Sequence, residues 1–254
     1  MPTRLVNVVL DSSDPVALAR WWARALGWTV THHSADEVDI APADAAPGQL
    51  ELVFVPVVDK KTGPNQVHLD LASASTGDQQ RRIEALVSAG ARRIDLGQAS
   101  DALFTVLADP EDNEFCVLEP RDAFADTGPI ASIVLNSADP AASGRFWAQA
   151  SGWDVFGGSE EYVGLRAPGG RGPFLDFNAS PGSGVSPRPK DRVHLDVAPL
   201  AGEDHAAATA ALVAAGARPV DVGQLDADGQ RPDHVTWDVL AAPDGHEFCV
   251  LSPR

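Results

Sequence analysis

Cysteine is scarce: the 254 residues hold two, Cys116 and Cys249. A small secreted scaffold stapled by disulfides is therefore excluded. Long apolar runs are missing too, and nothing approaches the ~20 residues a membrane span requires. The segment Leu5–Leu10 is short, broken by Asn7 and followed by Asp11. That is too little for the apolar core of a secretory signal, so a cytoplasmic protein is expected. Positive charge is in short supply, with 19 Lys and Arg against 36 Asp and Glu and a net charge of −17. Such a chain repels phosphate backbones and anionic lipid, which sets aside nucleic acid and membrane as partners. Hydrophobic residues at 44% and charged residues at 22% are ordinary globular usage. The length allows one large domain or two small ones.

The chain repeats itself. Leu5–Val30 (LVNVVLDSSDPVALARWWARALGWTV) matches Ile130–Val155 (IASIVLNSADPAASGRFWAQASGWDV) at an offset of 125, with 13 of 26 positions identical. Gln66–Ser73 matches Arg192–Pro199, and Leu86–Gln98 matches Leu212–Gln224, both at offset 126. Val106–Pro120 matches Val239–Pro253 at offset 133. Four blocks in one order, at a period too long for a solenoid, predict two homologous domains. They span 1–121 and 129–254, with a linker over 122–128.

Each half reads as β-α-β-β-β twice. Leu5–Asp11 is a strand. Asp14-Pro15 supplies a helix cap and a proline at the first helical position, as does Asp139 in the second half. Leu18, Trp21, Trp22, Ala25 and Leu26 recur at helical spacing until Gly27. Strands follow at Trp28–Val30, Val38–Ala41 and Leu50–Val57. The pattern restarts with strand Val67–Ala72, helix Gln79–Ala89 and strands Ala91–Leu96, Leu103–Ala108 and Glu114–Leu118. The tight connections Asp109–Asn113 and Ala242–His246 carry hairpin-turn residues.

These paired units, the D-P helix start, the R-x-W/F-W-A-x-x-x-G-W helix end and the V-H-L-D-L and N-E-F-C-V-L segments resemble the glyoxalase/bleomycin-resistance/dioxygenase group, the vicinal oxygen chelate superfamily. More narrowly they are similar to its glyoxalase-like domain proteins. The resemblance covers nearly the whole chain, once per half. It implies an α+β fold of two tandem domains, each of two βαβββ units, with cupped mixed sheets and helices outside. Metal-dependent members carry a His or Gln on the first strand of a unit and a Glu on its last strand. Position by position, that pattern falls on Asn7 and Glu51, His68 and Cys116, Ser132 and Asp176, and His194 and Cys249. Asn and Ser thus replace two first-strand ligands, and Cys replaces Glu in both halves. A Glu, His and Cys set still suits zinc, which accepts mixed N, O and S ligands; nickel, manganese and iron are the other divalent candidates.

Several residues carry two readings. His68 and His194 stand in V-H-L-D, where strand alternation sends His and Asp to one face. That face either lines a cup or is merely structural. Cys116 and Cys249 read as small buried hydrophobes rather than nucleophiles. Trp22, Trp28, Trp147 and Trp153 read as core anchors. His32 and His33 read as solvated. Phe104 and Trp237 hold equivalent positions and either pack in the core or line a cavity. The Gly/Pro/Ser-rich segment Ala179–Pro189, aligned with Val58–Gly63, is an exposed connector or a cover for a cavity mouth.

Relatives of about half this length pair as dimers, so the resemblance implies a monomeric pseudo-dimer with two cavities. One would join Asn7 and Glu51 to His194 and Cys249, and the other Ser132 and Asp176 to His68 and Cys116. Three functions follow. A glyoxalase-like lyase or isomerase would bind a small oxygenated molecule, with His68 or His194 moving a proton beside a carbonyl and Glu51 or Asp176 as partner. A bleomycin-resistance-like protein would bind a natural product without metal, and the acidic charge favours a cationic one. A structural or regulatory module would do neither.

Overall fold

A computed structural model describes residues 3–45, 49–180, 190–224, 232 and 235–254. Most of the connector Ala179–Pro189, from 181 to 189, lies outside the described residues. The first unit comprises β1 (Arg4–Ser12), α1 (Pro15–Leu26), β2 (Thr29–His33), β3 (Val38–Ala41) and β4 (Glu51–Pro56). The second comprises β5 (Val67–Leu71), α2 (Thr76–Ser88), β6 (Arg92–Arg93), β7 (Thr105–Ala108) and β8 (Glu114–Val117). A short 3-10 turn over Asp122–Phe124 leads to the third, with β9 (Ile130–Ser137), α3 (Pro140–Ser151), β10 (Asp154–Gly158), β11 (Tyr162–Arg166) and β12 (Phe174–Ala179). The fourth has β13 (Val193–Ala198), α4 (His205–Ala214), β14 (Arg218–Pro219), β15 (Asp238–Ala241) and β16 (Glu247–Val250).

The helices begin and end for local reasons. Asp14 and Asp139 accept hydrogen bonds from Ala17 N and Ala142 N, with Pro15 and Pro140 in the first turn. Ser75 and Asp204 cap α2 and α4 in the same way. Gly27 and Gly152 close α1 and α3 with φ of 69° and 71°, a left-handed turn open to glycine at little cost.

Two eight-stranded mixed sheets result, and each takes one unit from either half of the chain. One runs β14-β15-β16-β13-β1-β4-β3-β2, the other β10-β11-β12-β9-β5-β8-β7-β6. The halves meet where first strands pair antiparallel. Val9 lies opposite His194 in β1–β13, and Val134 opposite His68 in β5–β9. The first unit therefore shares a sheet with the fourth, and the second with the third.

Aromatic clusters bind the two sheets together within each half. Trp21 and Trp22 of α1 meet Phe115 of β8 edge to face, the Trp22 and Phe115 centroids 5.1 Å apart. Phe146 and Trp147 of α3 meet Phe248 of β16 in the same geometry. Trp22 and Trp147 are fully buried and Trp153 is buried, whereas Trp28 packs only partly against the core. Trp22 Nε1 donates to Asp109 Oδ2 at 3.0 Å. The matching position is Ala242, and Trp147 Nε1 has no hydrogen-bond partner among the described residues.

Glu111, on the turn before β8, ties the second unit to the first. Its carboxylate accepts from Ser12 Oγ at 2.8 Å, Ser13 N at 2.8 Å and Asp14 N at 2.9 Å. Burial alone would raise its pKa, but the Ser13 and Asp14 amides and the serine hydroxyls favour the charged form, and the net shift is downward. A carboxylate lowered on folding stabilises above its unfolded pKa, and that contribution disappears as pH falls through the folded value. Glu111→Gln is expected to cost about 1–2 kcal/mol at pH 7. In urea titrations, the gap between variant and wild type should close as pH falls below 4.

Candidate functional site

The concave faces of the two sheets form unequal cups. In the larger, strand alternation points His68 and Asp70 of β5, Cys116 of β8, Ser132 of β9 and Asp176 of β12 into one cavity of about 720 Å³. Phe104, Phe124, Phe156 and Phe174 wall it, with Arg121 and Tyr162. Phe174 takes Phe124 and Phe156 edge to face, at centroid distances of 6.2 and 5.3 Å. At one end Glu114 receives Lys61 Nζ at 2.6 Å and Asn65 N at 3.0 Å. The smaller cup, about 290 Å³, has Val9, Val53, Val55 and Val239 for walls, with His194, Asp196, Cys249 and Trp237.

Each cup holds the same His, Asp and Cys set. His68, Asp70 and Cys116 present donor atoms within 4.8 Å of one another, as do His194, Asp196 and Cys249. His68 Nε2 lies 3.4 Å from Asp70 Oδ1, and His194 Nε2 lies 3.6 Å from Asp196 Oδ1. Cys249 Sγ approaches His194 Nε2 at 3.7 Å. Asp70 Oδ1 and Asp196 Oδ1 are buried and have no hydrogen-bond partner among the described residues. Burial raises the pKa of both aspartates, against the opposing pull of the adjacent histidines. An orphaned carboxylate oxygen beside an imidazole and a thiol fits a divalent metal with mixed ligands.

Asp176 is also raised, to about 6, chiefly by burial. The Ser132 hydroxyl works against that rise, and the Asp70 charge adds to it. Burial, and then the neighbouring Asp176 charge, raises Tyr162 to about 12. Tyr162 stays a phenol at neutral pH, while Asp176 titrates closer to neutrality than an ordinary carboxylate, its charged form favoured by the Ser132 and Tyr162 hydroxyls.

The structure brings together Ser132, Asp176, His68 and Cys116, and in the other cup His194 and Cys249. It does not bring Glu51 to that second pair. Glu51 lines a separate recess with Arg4, Asn7, Gln49 and Arg254, while Asn7 Nδ2 lies 3.4 Å from Asp196 Oδ2. Register gives the reason. Asn7 stands opposite Glu51, but its repeat counterpart Ser132 stands opposite Phe174. Glu51 therefore corresponds to Phe174, and Asp176 to Val53. A slip of two residues keeps a side chain on the same face, so alternation alone gives no warning. Phe104 and Trp237 both line cavities. His32 and His33 are exposed on β2.

Sequence reasoning left out Tyr162, Arg121, Phe124 and Phe156. Tyr162 and Phe156 do not recur in the first half and Phe124 lies in the linker, so the repeat gave no signal for them; Arg121 does recur, as Arg254 at offset 133, one residue past the matched block. Asp39 was also left out. It is raised to about 6 by burial first, and then by the Glu37 and Glu51 charges.

The glyoxalase-like domain family model matches residues 7–118 and again 132–251. Comparison with curated protein sequences finds no match. Among solved structures, glyoxalase I from Zea mays has a TM-score of 0.62 at 14% identity, with 98% of this chain and 92% of that one covered. A Bacillus subtilis protein provisionally named a dioxygenase has a TM-score of 0.61 at 12% identity, with 99% and 85% covered. At such identities the likeness is one of fold. Among the described residues no helix is long and apolar enough to cross a membrane.

Both thiols are buried, and burial together with the adjacent aspartate pushes their pKa values up. Chelator-treated native protein at pH 8 should therefore react with a disulfide reagent at least 100-fold more slowly than free cysteine. Both thiols should appear at once on unfolding, read at 412 nm. With its repeated βαβββ units and two regions matched by one family model, the chain belongs to the glyoxalase-like domain family and carries the tandem fold of the vicinal oxygen chelate superfamily.

Proposed function

We propose that this protein binds a small oxygenated organic molecule in the larger cup and transfers a proton beside its carbonyl, as a glyoxalase-like lyase or isomerase does. The observation that carries the reading is the convergence of His68, Asp70 and Asp176 on one 720 Å³ cavity under a phenylalanine wall. That volume lies in the range of small-molecule sites. The aromatic wall holds the apolar part of a ligand, and the polar floor meets its oxygens.

His68 is the proton carrier, with Asp70 orienting its ring, and Asp176 faces it from the opposite side of the cup. In a metal-loaded protein His68, Asp70 and Cys116 would instead hold the divalent ion, as would their counterparts His194, Asp196 and Cys249, and the proton would then pass to Asp176 rather than His68. A bound metal would supply Lewis-acid polarisation of the ligand carbonyl. The smaller cup has less room, and aliphatic side chains replace the phenylalanine wall.

A second reading is metal-independent ligand binding. The unreactive environment of both thiols favours it, because thiols held protonated must give up a proton before they bind metal. Metal content separates the two. Stoichiometric zinc, nickel, manganese or iron in protein purified without chelator supports the enzyme, and His68→Ala should then remove about one equivalent. Metal-free protein that none of these ions stabilises, but that a small oxygenated compound raises in melting temperature by several degrees, would replace it with the binder. If turnover is found, His68→Ala combined with His194→Ala should lower it at least 100-fold; an unchanged rate removes the proton-transfer role.

A further inference from the structure

Phe156 of β10 is 67% exposed, although it lines the larger cavity. It stands with two other rings at one end of the cup. Phe174 of β12 is in the middle, and Phe124 and Phe156 meet it at interplanar angles of 69° and 66°. Phe156 and Phe174 belong to the third unit, whereas Phe124 belongs to the turn that links the two halves. Two guanidinium groups back this corner. Arg166 lies 4.1 Å from the Phe174 centroid and is itself fixed by the main-chain oxygens of Gly170 and Gly172. Arg121 lies 5.4 Å from the Phe124 centroid and donates to Glu119. The attraction of a cation to a ring face holds both rings in place.

The fold itself does not require rings here. Val155 and Gly157 flank an irregularity in β10 as Val30 and His32 do in β2, so Phe156 corresponds to Thr31. Phe174 corresponds to Glu51. Thr31 and Glu51 line the polar recess beside Arg4. The same sheet architecture folds with Thr and Glu at these positions, so packing does not demand the two phenylalanines. A contiguous apolar surface that stays open to solvent marks a ligand site rather than a core. Its rings are steeply inclined to one another and present faces and edges together. A flat ring placed against them can stack on one and meet the edge of another. Each such pair is worth roughly 2- to 12-fold in affinity beyond the area it buries. A saturated ring of the same size gains none of this.

We propose that Phe124, Phe156 and Phe174 form a recognition pocket for a planar aromatic ring. The ligands of the larger cup are then aromatic compounds, and the segment linking the two halves takes part in choosing them. The inference rests on the assignment of the larger cup as the ligand site.

The probes are 4-phenyl-2-butanone and 4-cyclohexyl-2-butanone, which differ only in the saturation of the ring. The saturated ring is the more hydrophobic, so a merely apolar wall prefers it. Affinities come from calorimetry. The site of binding is read from protein labelled with 13C-phenylalanine, whose nine ring signals are assigned by substitution. Wild type should bind the phenyl compound at least about 3-fold more tightly, and the signals of Phe124, Phe156 and Phe174 should shift. Leucine keeps an apolar side chain and removes only the ring. Phe124→Leu, Phe156→Leu and Phe174→Leu should each bring the preference below about 2-fold. Melting curves serve as the folding control, and exposed Phe156 is the substitution least able to disturb folding. Val155→Ser, a neighbour on β10 that does not line the cavity, should leave the preference unchanged. A smaller preference in wild type, or one that survives in folded Phe124→Leu and Phe156→Leu, overturns the ring pocket while leaving the cup as a ligand site. If neither probe binds, the ring pocket and the cup assignment both fail.

Discussion

The antiparallel pairing of first strands is the contact on which everything else depends. Each βαβββ unit leaves one edge of its first strand without a partner, and exposed edges invite association. Here β1 takes β13 and β5 takes β9, so the open edges meet within one chain. The seams pair Arg4–Leu10 with Val193–Ala198 and Val67–Leu71 with Ile130–Leu135. Each seam also runs down the middle of a cup. His68 and His194 lie on the seams, which is why both cups are built from both halves.

The helices add the second constraint. Within a half, α1 or α3 presses two aromatic side chains onto the last strand of the next unit, in the opposite sheet. The sheets are thus stitched across halves by backbone hydrogen bonds and within halves by buried aromatics. Neither sheet can move without disturbing the other, and the spacing of the cup walls is held from behind. Glu111 adds a polar tie on the same path, and Asp244 reaches Ser143 from the corresponding turn at 2.6 Å.

The two cups show how far a repeat drifts once the fold is safe. Residues behind the sheets change little: Trp22 and Trp147, and Phe115 and Phe248, are paired counterparts. Residues that face the cavities have parted. Val53 stands where Asp176 does, Asp39 where Gly164 does, and Glu51 where Phe174 does. Packing restrains the buried face because its volumes must match. The cavity face answers only to its ligand.

The order of elements within units, the helix caps at Asp14 and Asp139 and the burial of Trp22, Trp147 and Trp153 were all legible beforehand, whereas Trp28 is only partly buried. Each is a local property, of spacing, of a cap beside a proline, or of repetition. His68, His194 and their cysteines were legible as well, since the repeat preserved them and alternation gave them a face. Tyr162 was not, because nothing in the first half repeats it and only strand register brings it into the larger cup. Glu51 and Asp176 looked alike because a two-residue slip preserves the alternating pattern.

By itself, then, the sequence determined the duplication, the four units and the polar faces of their first strands, since these follow from short-range periodicity and self-similarity. Only the tertiary structure decided which units share a sheet, which carboxylates share a cavity and how large each cavity is. Those depend on strand register and on side-chain volume met across long separations in the chain, and no local pattern records either.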